Sequence, residues 1–249
     1  MVIAFIDMLG TKARWHSGGR EGAQAAFDEF AVVVRAAFET VKPHAVRAGV
    51  IESDACALVF RDAAGAVAFA RAAYLEAFRS AHSRRDERLW LRGAVVEGSR
   101  AQALRARKRF DGAPGEVQRF EYDPDLLDAI AVEKSGFKGM RLLVQSKLVT
   151  PELCDAFRIE VGKRALMPFR MLDNSIYPGR LGADYQDFLW MATADETEWE
   201  TNKLLMASRL RWSSRNQEEF VHAAATQVVF HECAAIVSSL QRHPRGARE

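Results

Sequence analysis

Hydrophobic positions along the chain follow two different periods, and the switches between them mark out the elements. Val2-Ile3-Ala4-Phe5-Ile6 is an unbroken apolar run, too short to span a membrane and of the length of a strand buried on both faces. Residues 15–22 contain Ser17-Gly18-Gly19 and read as a loop. Between 21 and 41, apolar residues recur at Phe27, Phe30, Val34, Ala37, Phe38 and Val41, the spacing of an amphipathic helix, which Pro43 ends. Residues 45–51 and 55–60 form two strands joined at Glu52-Ser53-Asp54, a hairpin. A second helix over 63–81 places Ala66, Val67, Ala70, Ala73, Tyr74, Ala77, Phe78 and Ala81 on one face. After a polar connection at 83–88, residues 89–98 (LWLRGAVVEG) make a fourth strand, interrupted by Arg92 and Gly93.

The pattern then loosens. Arg100, Arg105, Arg107, Lys108 and Arg109 form a basic stretch, followed by the turn Asp111-Gly112-Ala113-Pro114-Gly115. Asp123-Pro124 is an N-cap followed by proline at the first helical position, and opens a helix to about residue 134 with Leu126, Leu127 and Ile130 on one face. Residues 140–145 (MRLLVQ) are a further strand. Residues 1–149 thus predict an α+β domain with helices on one face of a mainly antiparallel sheet. In 150–249, short strands are expected at 158–161 and 165–172, a turn at Pro178-Gly179, and helices at 196–211 and 217–240. The last helix would gather Phe220, Ala224, Val228, His231 and Ala235 on a shared face. This mainly helical extension is a poor core by itself, and Pro151 follows the MRLLVQ strand with no flexible linker. It is therefore expected to dock on the first domain. Residues 242–249 are a polar tail, and no internal repeat or low-complexity segment is present.

Composition narrows the class. The 249 residues are 49% hydrophobic and 27% charged, enough apolar content for a sizeable core. Lys plus Arg is 35 against 33 for Asp plus Glu, so no overall basic field marks a general nucleic-acid binder. No apolar run reaches transmembrane length, and the first strand begins with no basic segment before it, so no signal peptide is expected. Cys56, Cys154 and Cys233 are scattered and odd in number, which fits a reducing cytoplasm better than a disulfide framework, and Cys56 reads as a small core residue. The six histidines show no HExxH spacing. Trp190, Trp199 and Trp212 are expected to pack rather than to stack on a ligand.

The chemistry concentrates at two aspartates. Asp7 stands where the first strand ends, and a carboxylate in a strand covered on both faces needs a compensating partner, for which a bound cation is the natural candidate. Gly10, three residues on, lets backbone N–H groups approach a phosphate. Asp54 lies in the hairpin turn between two apolar runs.

With both placed, the chain resembles the class III nucleotidyl cyclases, which convert a nucleoside triphosphate into a 3′,5′-cyclic monophosphate and pyrophosphate. The matching pieces are Phe5-Ile6-Asp7-Met8-Leu9-Gly10, Glu52-Ser53-Asp54 and Leu91-Arg92-Gly93-Ala94-Val95-Val96-Glu97-Gly98. More narrowly, it looks like the pyrimidine cyclases of bacterial Pycsar anti-phage systems. The resemblance covers roughly the first 145 residues and implies a ferredoxin-like βαββαβ sheet. It implies two Mg²⁺ or Mn²⁺ ions held by Asp7, Asp54 and the carbonyl of Ile6, since hard cations take oxygen ligands. It makes Asp7, Asp54 and Arg92 the catalytic set, with Gly10, Lys12, Arg107 and Lys138 on the substrate. For Arg92 a phosphate or subunit-interface role stands beside a structural ion pair with Glu97 or Glu52.

Purine cyclases carry a base-reading lysine where this chain has Val50, and an asparagine and an arginine that fall here on Leu127 and Ala131. The resemblance therefore implies UTP or CTP as substrate, with an adenylate or guanylate cyclase as the alternative. A catalytically silent nucleotide sensor and a purely structural dimer module are the readings from other classes. It further implies a cytoplasmic homodimer with sites spanning the interface. Its cyclic product would go to a separate cyclic-nucleotide-binding effector, with no nucleic acid and no membrane as partner.

Overall fold

In the computed structural model the described residues are 1–41, 45–52, 54–79, 89–98, 130, 138–161, 163–172, 184–213 and 217–241. Strand β1 (Val2–Met8) lies between β3 (Ala55–Phe60) and β4 (Leu91–Glu97), antiparallel to both, and β2 (Ala45–Glu52) pairs with β3. Helix α1 (Thr11–Val41) leads from β1 to β2, and α2 (Ala63–Arg79) from β3 to β4. The order β2-β3-β1-β4 with this βαββαβ connectivity is the ferredoxin-like arrangement of an α+β protein. The sheet continues past β4 through β5 (Leu142–Gln145), β9 (Tyr185–Phe188) and β8 (Phe169–Met171), with β5 parallel to β4 and the remaining pairs antiparallel.

The unbroken apolar run of β1 has a simple cause: both of its faces are covered. Val2, Ala4, Ile6 and Met8 join the larger core beneath α1 and α2, whereas Ile3 and Phe5 join a second cluster with Val59, Ala94, Val96, Leu143, Leu172 and Tyr185. Helix α1 buries Ala23, Ala26, Phe30, Val33, Val34, Ala37 and Val41, a stripe at helical spacing. Helix α2 is capped by the Asp62 carboxylate, which accepts the Gly65 N–H at 2.7 Å. Its small alanines bring Tyr74 and Phe78 against Trp190, edge-on at 5.4 and 5.5 Å between ring centroids. Each such fully buried aromatic contributes on the order of 1.5–3 kcal/mol.

The C-terminal part is tied in by polar contacts as well. Helices α3 (Pro151–Ala156, N-capped by Thr150), α4 (Glu196–Ser213) and α5 (Gln217–Gln241) follow β5, with a small hairpin of β6 (Ile159–Val161) and β7 (Arg164–Leu166) after α3. Arg209 of α4 is buried over the rings of Trp90 and Phe78, at 4.8 and 4.9 Å from their centroids. It donates to the Leu89 carbonyl at 2.7 Å and to the Ala77 carbonyl in the last turn of α2, where helix carbonyls lack intrahelical partners. Glu198 of α4 pairs with Arg79 of α2 at 2.7 Å.

Several expected boundaries move. The loop expected at 15–22 is helical, with only a break at Gly19 (φ 60°, ψ −154°), a conformation glycine adopts without a Cβ penalty. The strand expected over 165–172 is divided between β7 and β8, and α3 and β9 are elements that hydrophobic periodicity does not announce. In α5 the expected shared face is the outer one: Phe220 and Val228 are about half exposed, while Ala223, Thr226, Val229, Cys233 and Val237 face inward. Phe220–Ser239 is long and apolar enough to cross a membrane, with mean hydropathy 1.4, yet its inward stripe packs as a core helix does. Arg107 and its basic stretch, most of the helix expected at 123–134, and the tail lie outside the described residues. Ile130 is helical and packs on the second cluster.

Candidate active site

Asp7 is the penultimate residue of β1 and has a partner on each side, Ala55 in β3 and Arg92 in β4. Directly opposed residues of antiparallel strands project from the same face, so Asp7, Ala55 and Arg92 share the face away from α1 and α2. Arg92 donates to Oδ2 of Asp7 through both Nε and Nη2, each at 3.3 Å. The side chains of Arg92 and Asp7 keep 22% and 17% exposure, so the pair is open to solvent and to a ligand. Arg92 therefore meets Asp7, while Glu97 pairs with Lys147.

Asp54 is held beside Asp7 by the backbone. Its carbonyl accepts the Met8 N–H at 2.6 Å, pinning the hairpin turn to the end of β1. Because Ala55 stands opposite Asp7, Asp54 is one step along a neighbouring strand, and ladder spacing puts the two Cα atoms roughly 6 Å apart. The chain then leaves β1 through Gly10, at φ 80°, where a Cβ would meet no atom within 4 Å. Thr11 opens α1, its hydroxyl donating to the Met8 carbonyl at 3.2 Å. The first turn of this 31-residue helix holds no acidic residue, and a helix N-terminus carries partial positive charge beside the carboxyl end of β1.

Gly93 is demanded by packing: a Cβ there would lie 2.3 Å from the Phe5 carbonyl oxygen. Its N–H donates to the Arg141 carbonyl at 3.1 Å, linking the strand that carries Arg92 to the start of β5. Lys138 precedes this point and is exposed. Ile6 sits inside the ladder between Cys56 and Gly93, and a centre strand commits each carbonyl to a neighbour. The Ile6 carbonyl lies one residue before Asp7, and a carbonyl oxygen keeps a second lone pair beyond one ladder bond. Lys12 lies in the first turn of α1. Cys56 is buried in the core, its thiol pushed up to about 12 by burial.

The donor set fits a hard cation. Two carboxylates stand at adjacent strand ends, and Mg²⁺-like ions take one or two carboxylates with water and phosphate oxygens completing the shell. Among the described residues there is no group of three or more His, Cys, Asp or Glu that could hold a metal, so a soft or all-protein site is not offered there.

Two groups near this end were not legible in advance. His222 of α5 is buried and accepts the Gly139 N–H on Nδ1 at 3.3 Å. Burial, and then the charges of Lys138 and Arg92, push its pKa down to about 4. Farther along the sheet, Arg141 and Asp187 form a buried ion pair. Burial pushes the Asp187 carboxyl up to about 6 against the pull of Arg141. A single sequence holds no signal pairing residues 46 or 83 positions apart.

No family model matches the chain, and no curated protein does. Among solved structures it aligns with one titled "Crystal structure of the guanylyl cyclase Cya2", at 11% identity and a TM-score of 0.45, over 75% of this chain and 88% of that chain. That superposition is too loose to speak for a shared site, and the fold stands on its own strand order.

Proposed function

We propose that the protein is a nucleotidyl cyclase that closes a pyrimidine nucleoside triphosphate, UTP or CTP, to its 3′,5′-cyclic monophosphate with release of pyrophosphate. The observation that supports this reading is the backbone of Asp54 held at the carboxyl end of β1, next to Asp7 and the Gly10 turn, with Asp7 paired to Arg92. Asp7 and Asp54 would hold two Mg²⁺ or Mn²⁺ ions, which when bound lower the pKa of the 3′-hydroxyl and neutralise the leaving pyrophosphate. Gly10 and the first amides of α1 would receive phosphate oxygens. Arg92 would exchange part of its hold on Asp7 for the triphosphate, where a guanidinium binds oxygens in pairs. Lys12, Lys138 and Arg107 would add charge around it. Val50 stands where a purine-reading lysine would be required, which favours a pyrimidine. A homodimer with shared sites, a cytoplasmic location and a product read by a separate effector in anti-phage defence complete the reading.

The test is incubation of the purified protein with each of the four ribonucleoside triphosphates and Mn²⁺, with cyclic products resolved by mass. Cyclic UMP or CMP is the expected product; cyclic AMP or GMP would shift the base assignment, and no product from any of the four would reject the reading. For the dimer, Asp7→Ala mixed with Arg107→Ala should recover activity if sites are shared. No recovery from demonstrated heterodimers would place each site in one chain.

A further inference from the structure

We propose that His222 and Thr226 of α5 are positioning residues of the nucleotide site, setting Lys138 and Arg92 through the main chain of residues 139–141; this rests on the cyclase reading above. The contact is close and directional. Gly139 has φ 80°, and a Cβ on it would fall 2.7 Å from the Thr226 nitrogen and 2.8 Å from the Ala225 carbonyl carbon, so α5 sits directly on this turn. Two successive amides are then taken up by α5: Gly139 N–H donates to Nδ1 of His222 at 3.3 Å, and Met140 N–H to the Thr226 hydroxyl oxygen at 2.9 Å. The Thr226 hydroxyl spends its one proton on the His222 carbonyl at 2.7 Å, so toward Met140 it only accepts.

From this clamp the connection to the site is short. Arg141, the next residue, offers its carbonyl to Gly93 N–H at 3.1 Å and to the Tyr74 hydroxyl at 2.7 Å, and Gly93 follows Arg92 in β4. On the other side Lys138 is bonded directly to Gly139. Nδ1 accepts only while it carries no proton, so the proton of the neutral ring resides on Nε2. The bond from the Gly139 amide sets this ring one residue along the chain from Lys138, and the charges of Lys138 and Arg92 both act on it. Apolar packing of α5 needs neither acceptor. The clamp is instead aimed at the turn that carries a candidate phosphate ligand.

Three variants of the full-length protein separate positioning from packing. His222→Leu and Thr226→Val remove an acceptor at similar bulk, and His222→Asn returns one at the place of Nδ1. Each is measured for kcat and KM with UTP and Mn²⁺, for calorimetric binding of α,β-methylene-UTP with Mn²⁺, and for urea unfolding. The expected result is about 10-fold weaker binding and higher KM for the first two with kcat changed less than about 3-fold, and recovery of most of the affinity by His222→Asn. A folded His222→Leu or Thr226→Val that binds as wild type overturns the proposal, as does a His222→Asn no better than His222→Leu. If His222→Leu does not fold, Thr226→Val decides. Wild-type protein that binds and turns over no triphosphate removes the cyclase reading and this inference together; unaltered variants of an active wild type remove this inference alone.

Discussion

Two aspartate–arginine pairs bridge neighbouring strands of the same sheet and differ in nearly everything else. Asp7 and Arg92 join β1 to β4 with 17% and 22% of their side chains exposed, and both arginine contacts converge on one carboxylate oxygen at 3.3 Å. Asp187 and Arg141 join β9 to β5 with 1% and 10% exposed. Among the described residues the Oδ1 of this buried carboxylate has no hydrogen-bond partner, nor has one buried oxygen of Glu232. An ion pair open to solvent is worth little to stability, about 1 kcal/mol or less, so its partners are at liberty to change. A buried pair is locked, because separating it strands a charge in a medium that solvates it poorly. Identical residue types thus give a pair that can exchange partners at one place and a locked pair at the other.

Turnover should show the largest effect. Asp7→Ala and Asp54→Ala are expected to leave a folded protein and lower cyclisation at least ~10³-fold, about 4 kcal/mol of transition-state stabilisation, measured at saturating Mn²⁺. Near-normal rates in either variant would dissolve the metal assignment. Next comes Asp187→Ala, which should cost about 3–5 kcal/mol in urea unfolding because the buried Arg141 loses its carboxylate. A loss below about 1 kcal/mol would mean that water already solvates this pair, erasing the contrast between the two.

Arg92→Gln should then separate binding from folding. Its unfolding free energy is expected to fall by no more than about 1 kcal/mol, while KM for the triphosphate rises. A large stability loss with unchanged KM would make Arg92 a rivet as well.

The smallest effects are in the pH profile, where two buried groups pull in opposite directions. His222 has a folded pKa of about 4, below its ordinary 6.5, so the unfolded chain binds more protons in between and stability falls as pH drops from 6.5 toward 4. Asp187, raised from 3.8 to about 6, has the reverse sign: its contribution is full below 3.8 and is lost as pH rises through 6. Urea unfolding of His222→Asn between pH 4 and 6.5 should therefore lose the acid-side decline, and Asp187→Asn should steepen it. Profiles that both superimpose on wild type would show that neither group titrates in that window.

Much of the first hundred residues was legible because their contacts are local or repeat at short period. The β1 run, the α1 and α2 stripes and the hairpin at Asp54 each carry their signal within a dozen residues. The placement of Asp7 and Asp54 followed from strand order, since two strands flanking a hairpin turn bring it to the end of their neighbour. Periodicity misled in α5, where the inner face includes His222 and Thr226 and the stripe through Phe220 and Val228 is exposed. A polar residue that will be satisfied by a distant amide looks, in sequence, like a surface residue.

The sequence by itself determined the βαββαβ order, the covered strand that ends in a carboxylate, and the glycine needed where the chain turns at Gly10. Tertiary structure alone decided that Arg92 answers Asp7 and that α5 closes on Gly139. The physical reason is range. Propensity and period act between residues a few positions apart, whereas a charge or an amide chooses its partner by distance in space, and those partners lie up to 132 positions away in the chain.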